Sequence, residues 1–316
     1  MISMIKPVNN RLQEISPEEI SGGTWIDMTE PTEAELLQVA ELTAIEVKYL
    51  QQVCAADACP RAMTGDNCLM VVLNVPVADT DNNLYDSALL GLVLTPGYLI
   101  STCRRKNEVL AFAEGSPAIY DPAKLNLFFL QILNRTDKMF VRYIEHIRQR
   151  TGEIEVKMRR SIEMKEFFKV LDMEKGLTYF TAALRDNAIV LESLLRIRSL
   201  PRLQNFLQVR GEEEDLFETL IIENRRALRL AETYSEIMGG MMDAFSSVIE
   251  HNLNQVIKFL ASMTVLIAIP TMLSSFWSMS LVVPWHGNEH GFWYVLLLAL
   301  AAVSGGWFWL KKKNML

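Results

Sequence analysis

The stretch FLASMTVLIAIPTMLSSFW, Phe259 to Trp277, decides the fold. No charged residue occurs between Phe259 and Trp285, and a second uncharged run, Phe292 to Leu310, follows a short polar loop. At about 1.5 Å per residue, each run is long enough as a helix to cross a hydrocarbon core of about 30 Å. Two membrane-spanning helices joined by a tight loop are therefore expected. The charged sequence before Lys258 must then lie in water on one side.

The flanks orient the pair. Lys258 precedes the first run and Lys311, Lys312 and Lys313 follow the second, whereas the loop His286 to His290 has neither Lys nor Arg. By the positive-inside rule both ends face the cytoplasm and the loop lies outside, in the inner or plasma membrane. The N-terminus Met1 to Asn10 lacks the continuous apolar core of a signal peptide. All four cysteines, Cys54, Cys59, Cys68 and Cys103, fall in the expected cytoplasmic part with spacings that match no zinc pattern. The formal charge of −7 is spread evenly, so a nucleic-acid partner is not expected.

The first part of the chain, 1–121, reads as an α/β sheet region. Gly23 to Met28 has strand character, and Thr32 with Glu35 forms a capping-box pattern ahead of a Leu36, Val39, Leu42 stripe. Three Val- and Leu-rich runs, Cys68 to Val75, Ala88 to Thr95 and Tyr98 to Cys103, complete a small mixed or antiparallel sheet. Helical periodicity then dominates 122–211. A long helix is expected from Ala123 to about Val170, and a second from Asp172 to Ile197 carries Leu177, Phe180, Leu184, Ile189 and Leu194 inward.

A stalk helix, 212–258, opens on the acidic cluster Glu212 to Asp215, which suits the positive end of a helix dipole. Apolar or small residues recur at Leu216, Leu220, Ala227, Ala231, Tyr234, Met238, Met241, Phe245, Val248 and Val256; Asn252 interrupts this seam, and the helix passes without an obvious break into the first span, 259–278. Gly239 and Gly240 sit in mid-helix, each costing about 1 kcal/mol relative to Ala, and close helix packing is the expected reason for them. The loop 279–291, the second span 292–310 and the basic tail 311–316 follow.

This arrangement resembles the CorA family of divalent-cation channels. The residues that carry the likeness are Leu171 to Lys175 with Tyr179-Phe180, then Tyr234 to Ile237, Met242 to Phe245, Asn252 to Lys258, Trp25 to Met28 with Pro31, and the terminal lysines. The resemblance covers essentially the whole chain. It implies a funnel-shaped homopentamer in the bilayer, with an α/β cytoplasmic domain and first spans that line a central pore. Transport of Mg²⁺, or of Co²⁺ or Ni²⁺, follows from the same likeness, with Mg²⁺ as cargo and regulator and no resident cofactor.

The family's Gly-Met-Asn triplet is occupied here by Ser278, Met279 and Ser280. Amide oxygens at the family's pore mouth suit a hydrated Mg²⁺, which gives up its water reluctantly; Ser280 offers a shorter hydroxyl. A residue with a Cβ that leaves a helix in the left-handed conformation costs about 1–2 kcal/mol, so strain is expected at Ser278. The positions matching the family's pore face are Asn254, Ile257, Leu260 or Ala261, Thr264, Ala268 and Thr271, with Ile257 and Leu260 as an apolar collar. Pro270 frees a carbonyl within the span.

His286, Glu289 and His290 are candidates for cation capture outside, since imidazole suits transition metals. Inside, the resemblance implies closure by divalent ions bridging acidic residues of neighbouring copies, for which Glu213, Glu214, Asp215, Glu218 and Asp243 are candidates; Thr219 has no carboxylate where the family can place one. Lys258 and Lys311 to Lys313 form a basic ring. Neither span holds a carboxylate, so passive flow of hydrated cations is expected rather than proton coupling. Two other readings stand beside this one, a Zn²⁺ transporter of the related ZntB type and a non-conducting membrane scaffold of the same fold. No phosphate loop, nucleophile motif or paired metal-ligand spacing points to an enzyme.

Overall fold

The computed structural model describes residues 2–8, 11–17, 20–55, 58–65, 67–111, 122, 124–158, 164–198, 212–279 and 290–313. The chain divides into two compact units, 1–240 and 241–316.

The first unit is built on a mixed sheet. In chain order its elements are β1 (Ile2–Val8), β2 (Arg11–Glu14), β3 (Thr24–Thr29), α1 (Glu33–Thr43), α2 (Val47–Cys54), β4 (Arg61–Thr64), β5 (Leu69–Asp79), β6 (Leu84–Leu94), β7 (Tyr98–Cys103), α3 (Leu125–Met158) and α4 (Met164–Arg198). A further helix, α5 (Glu212–Trp277), contributes to both units, and α6 (Gly291–Lys312) belongs to the second. The strand order is β2-β1-β3-β7-β6-β5-β4, with β3 and β7 parallel and the other pairs antiparallel.

β5 is buried over its first eight residues, Leu69 to Pro76, so the centre of the sheet is covered on both faces. One cover is α1 and α2, whose Leu36, Val39, Leu50 and Val53 join Ile26, Met70, Val72 and Ile100 in a single core. Gly91 on β6 lets α2 come close, because a Cβ there would overlap the Val53 side chain. The α1 start is the expected capping box: Glu35 N donates to Thr32 Oγ1 at 3.4 Å and Thr32 N to Glu35 Oε2 at 2.8 Å. The other cover is α3 and α4. Trp25 of β3 meets Phe128 of α3 edge to face at 5.3 Å between centroids, and Phe140 meets Phe180 of α4 at 5.2 Å.

Several expectations are corrected by packing. Leu42 is 40% exposed and Ile189 57% exposed, because α1 and α4 each bury a narrower stripe than their apolar residues would fill. The single helix expected from Ala123 to Val170 is instead two, α3 ending at Met158 and α4 starting at Met164; Ala123 lies outside the described residues. The stalk seam buries Phe217 rather than Leu216, then Leu220, Ala227, Ala231, Met238 and Phe245, whereas Val248 and Val256 are exposed. Among the described residues of the single chain, a Cβ on Gly239 or Gly240 would meet nothing within 4 Å, so any close packing there would need a second copy.

Candidate functional site

In the second unit α5 and α6 are long and apolar enough to cross a membrane. Their contact is made by one face of α5. Ser262 is buried, Leu266, Ile269, Pro270, Leu273 and Trp277 are half-buried, and the steps of three and four between them keep one side of the helix toward α6. Gly306 of α6 makes the close approach, since a Cβ there would lie 3.0 Å from Ile269 Cδ1 and 3.6 Å from Leu266 Cδ2. Pro270 has no N–H to give to the Leu266 carbonyl, so that group loses its partner within the helix although α5 continues past it. At the far end of α6, Lys311 Nζ lies 4.9 Å from the centre of the Trp307 ring, and Lys311, Lys312 and Lys313 are all exposed.

Among the described residues, nothing in the chain covers the opposite face of α5 between Asn254 and Ser278. At about 100° per residue, Asn254, Ile257, Leu260, Ala261, Thr264, Ala268, Thr271 and Ser278 fall together on the side turned away from α6, and all are exposed in the single chain. A shallow groove of ≈ 590 Å³ runs along this face, lined by Thr264, Ile267, Ala268, Thr271, Met272, Ser275 and Phe276. Ser275 was not singled out from the sequence; counting one helical turn on from Thr271 would have found it.

The hydroxyls on this face are oriented by the helix itself. Thr264 Oγ1 donates to the Leu260 carbonyl at 2.8 Å, Thr271 Oγ1 to the Ile267 carbonyl at 2.8 Å, and Ser278 Oγ to the Ser275 carbonyl at 3.0 Å. Each hydroxyl hydrogen is thereby committed to the backbone, and what remains on the oxygen is acceptor capacity. Ser278 N donates to the Ser274 carbonyl at 3.1 Å, and Met279 N to the Phe276 carbonyl at 3.4 Å. Ser278 does not take the left-handed conformation expected of it: among the described non-glycine residues only Glu30, Ala44 and Asn83 have positive φ. Ser278 follows the last residue of α5 in a turn without a positive φ, so its Cβ brings no left-handed strain there.

Met279 is exposed, and Ser280, His286 and Glu289 lie outside the described residues. His290 precedes α6 and makes no side-chain cap; its carbonyl accepts from Trp293 N at 3.0 Å. Lys258 is exposed, and its carbonyl accepts from Ser262 Oγ at 2.8 Å. Glu214, Asp215, Glu218 and Asp243 are exposed and Glu213 half-buried. Within one chain, and among the described residues, no group of three or more His, Cys, Asp or Glu is placed to hold a metal ion, so these acids are not brought together.

Comparison with known proteins bears on the whole of this arrangement. Residues 21–312 match the family described as CorA-like Mg²⁺ transporter protein. The cobalt/magnesium transport protein CorA of Methanocaldococcus jannaschii is 24% identical over 307 residues, which is 95% of this chain and 92% of that one. The complete structure of the CorA magnesium transporter from the same organism aligns with a TM-score of 0.77 at 21% identity, covering 100% of this chain and 99% of that one. The ZntB cytoplasmic domain from Vibrio parahaemolyticus aligns with a TM-score of 0.57 at 14% identity, covering 79% of this chain and 96% of that one. Structural likeness at such identities shows a shared fold, and the fold is that of CorA.

Proposed function

The chain belongs to the CorA-like Mg²⁺ transporter family, and from that premise we propose that it carries hydrated divalent cations, Mg²⁺ foremost, along a central pore walled by the uncovered face of α5 from each copy of a homopentamer. The observation that carries this reading is the division of α5 into two faces. One is closed by α6 through Gly306, and the other presents Thr264, Thr271 and Ser278 with their hydroxyl hydrogens turned into the helix.

A hydrated Mg²⁺ offers the hydrogens of its bound waters to its surroundings. Acceptor-only oxygens in rings match that shell without stripping it, and Mg²⁺ is reluctant to be stripped. Ile257 and Leu260 supply an apolar collar that can close by dewetting. The span from Phe259 to Trp277 has no charged residue, which favours passive flow down the membrane potential over proton coupling or capture of a bare ion. Ser278 and Met279, with Ser280, form the mouth on this reading. His286, Glu289 and His290 gather cations outside, and both termini with Lys258 and Lys311 to Lys313 lie on the cytoplasmic side. Intracellular Mg²⁺ bridging Glu213, Glu214, Asp215, Glu218 or Asp243 of neighbouring copies is the proposed brake. Among the described residues of one chain these acids form no group of three or more placed to hold a metal ion, which supports a site shared between two copies.

A Zn²⁺ carrier of the ZntB type is the second reading, which holds if Ser278-Met279-Ser280 in place of Gly-Met-Asn, together with the outer pair His286 and His290, favours a softer ion. Dye-reported uptake of Mg²⁺, Co²⁺ and Zn²⁺ into proteoliposomes at fixed pH separates the two. Mg²⁺ uptake driven by an inside-negative potential alone is the expected result. Uptake of Zn²⁺ only, or uptake that requires a pH gradient, overturns the proposal. Absence of all flux, both in this protein and in one carrying Ser278→Gly with Ser280→Asn, would assign it the scaffold role.

A further inference from the structure

Asp137 of α3 and Asn224 of α5 face each other in the core of the first unit, 4% and 1% exposed. Asn224 Nδ2 donates to Asp137 Oδ1 at 3.1 Å. The other half of the amide, Asn224 Oδ1, is buried with no hydrogen-bond partner among the described residues, a situation that costs about 1–3 kcal/mol if nothing supplies a donor. Thr136, beside Asp137 in sequence, has its hydroxyl hydrogen committed to the Ile132 carbonyl at 3.0 Å. A carboxylate cannot supply the donor, since it only accepts; a carboxylic acid can.

We propose that Asp137 and Asn224 form a proton-operated latch between α3 and α5. With its proton, the Asp137 carboxyl donates to Asn224 Oδ1 while accepting from Nδ2, a reciprocal pair that fastens the two helices. Without it one hydrogen bond remains, Asn224 Oδ1 is orphaned, and a negative charge sits in the core.

The electrostatic surroundings favour the proton. Burial drives the Asp137 pKa from 3.8 up to about 7, the Asn224 bond opposes the rise, and Glu223 of α5 adds to it. Glu223 itself pairs with Arg226 at 3.5 Å. Among the described residues no charged group of α3 or α4 contributes to the shift. Because the folded pKa is raised, the stability this group supplies is complete below the unfolded value near 3.8 and is lost as pH rises through about 7.

The test uses the full chain in detergent micelles. Hydrogen exchange of the α5 amides around Asn224, corrected for the intrinsic effect of pH, is expected to lose about tenfold in protection from about pH 6 to about pH 8, the change produced by one group titrating near 7. Asp137→Asn replaces the acid by an amide that keeps the reciprocal pair, and its protection should stay high at both pH values. The C=O infrared band of a protonated carboxylic acid should be present in the unaltered protein at the lower pH, fade at the higher one, and be missing from Asp137→Asn. An equal step in Asp137→Asn, no step in the unaltered protein, or no band at the lower pH each overturns the latch. A pH-dependent ion flux that follows the latch rests on the transporter reading. The exchange and infrared measurements do not use flux, so failure of one leaves the other decided.

Discussion

Asn187 of α4 bonds both main-chain polar groups of Asn74 in β5: Asn74 N donates to Asn187 Oδ1 at 2.7 Å, and Asn187 Nδ2 donates to the Asn74 carbonyl at 2.8 Å. The pairing of β5 with β4 ends at Val72 opposite Arg61, so Asn74 lies just past the last residue that β4 can serve. The side-chain amide of a helix stands in for the missing strand. This fixes α4 against the sheet at one register.

Asn187→Ala should therefore be costly, since it strands a buried N–H and a buried C=O together. Each such loss is worth about 1–3 kcal/mol, so a drop of about 2–6 kcal/mol in unfolding free energy is expected by denaturant titration of the purified protein. Asn187→Gln, with the same amide on a longer arm, should recover only part. A loss below about 0.5 kcal/mol would mean that water takes over both groups.

Gly91→Ala should destabilise the same unit by pushing α2 off β6, because the new methyl meets the branched Val53 side chain, which has no flexible end to swing aside. Overpacking of this kind costs about 1–3 kcal/mol. Gly91→Ala combined with Val53→Ala should return most of it, and thermal melts of the two proteins give the comparison.

On the proposed ion pathway, Thr264→Val and Thr271→Val each exchange an outward acceptor oxygen for a methyl of similar size. Both residues are exposed in the single chain, and their hydroxyl bonds are to their own helix. Folding stability should change little, whereas Mg²⁺ uptake into proteoliposomes should fall about fivefold per position, the equivalent of about 1 kcal/mol per lost hydrogen bond. Unchanged uptake in the double variant would remove these rings from the pathway.

The two adjacent glycines of α6 should respond differently. A Cβ on Gly305 meets nothing within 4 Å, whereas one on Gly306 meets Ile269 Cδ1 at 3.0 Å. Gly305→Ala should be neutral or slightly stabilising through helix propensity. Gly306→Val should separate α6 from α5 and lower the melting temperature of the detergent-solubilised protein, with Gly306→Ala in between because Cδ1 is the movable tip of Ile269.

Much of the architecture was legible along the chain. The uncharged run from Phe259 lies in α5 as far as Trp277, the run Phe292 to Leu310 lies in α6, the Thr32 and Glu35 pattern became a capping box, and Tyr98 to Cys103 became β7 within the same bounds. Each of these signals is complete within a few residues. β1, β2 and β4 were not read, since short strands at the edges of a sheet carry little pattern of their own and are defined by partners such as Met28 opposite Ile2. The burial of Leu42 and Ile189 was misjudged for a related reason: periodicity says which residues share a face, and neighbouring elements decide how wide a face is covered.

The sequence by itself determined that this protein has two spans, a stalk leading into the first, a helix-and-sheet region before them, and a set of Thr, Ser and Ala positions on one side of the first span. Those features depend on hydrophobic length and on periods of 2 and 3.6, which are local. The tertiary structure decided which side of α5 is closed by α6, that Ser278 leaves α5 without a left-handed turn, and that Asn187 meets Asn74 and Asn224 meets Asp137 across 113 and 87 residues of chain. Such pairs carry no local periodicity; they exist because packed helices bring polar groups out of water, where each must find its donor or acceptor in another element.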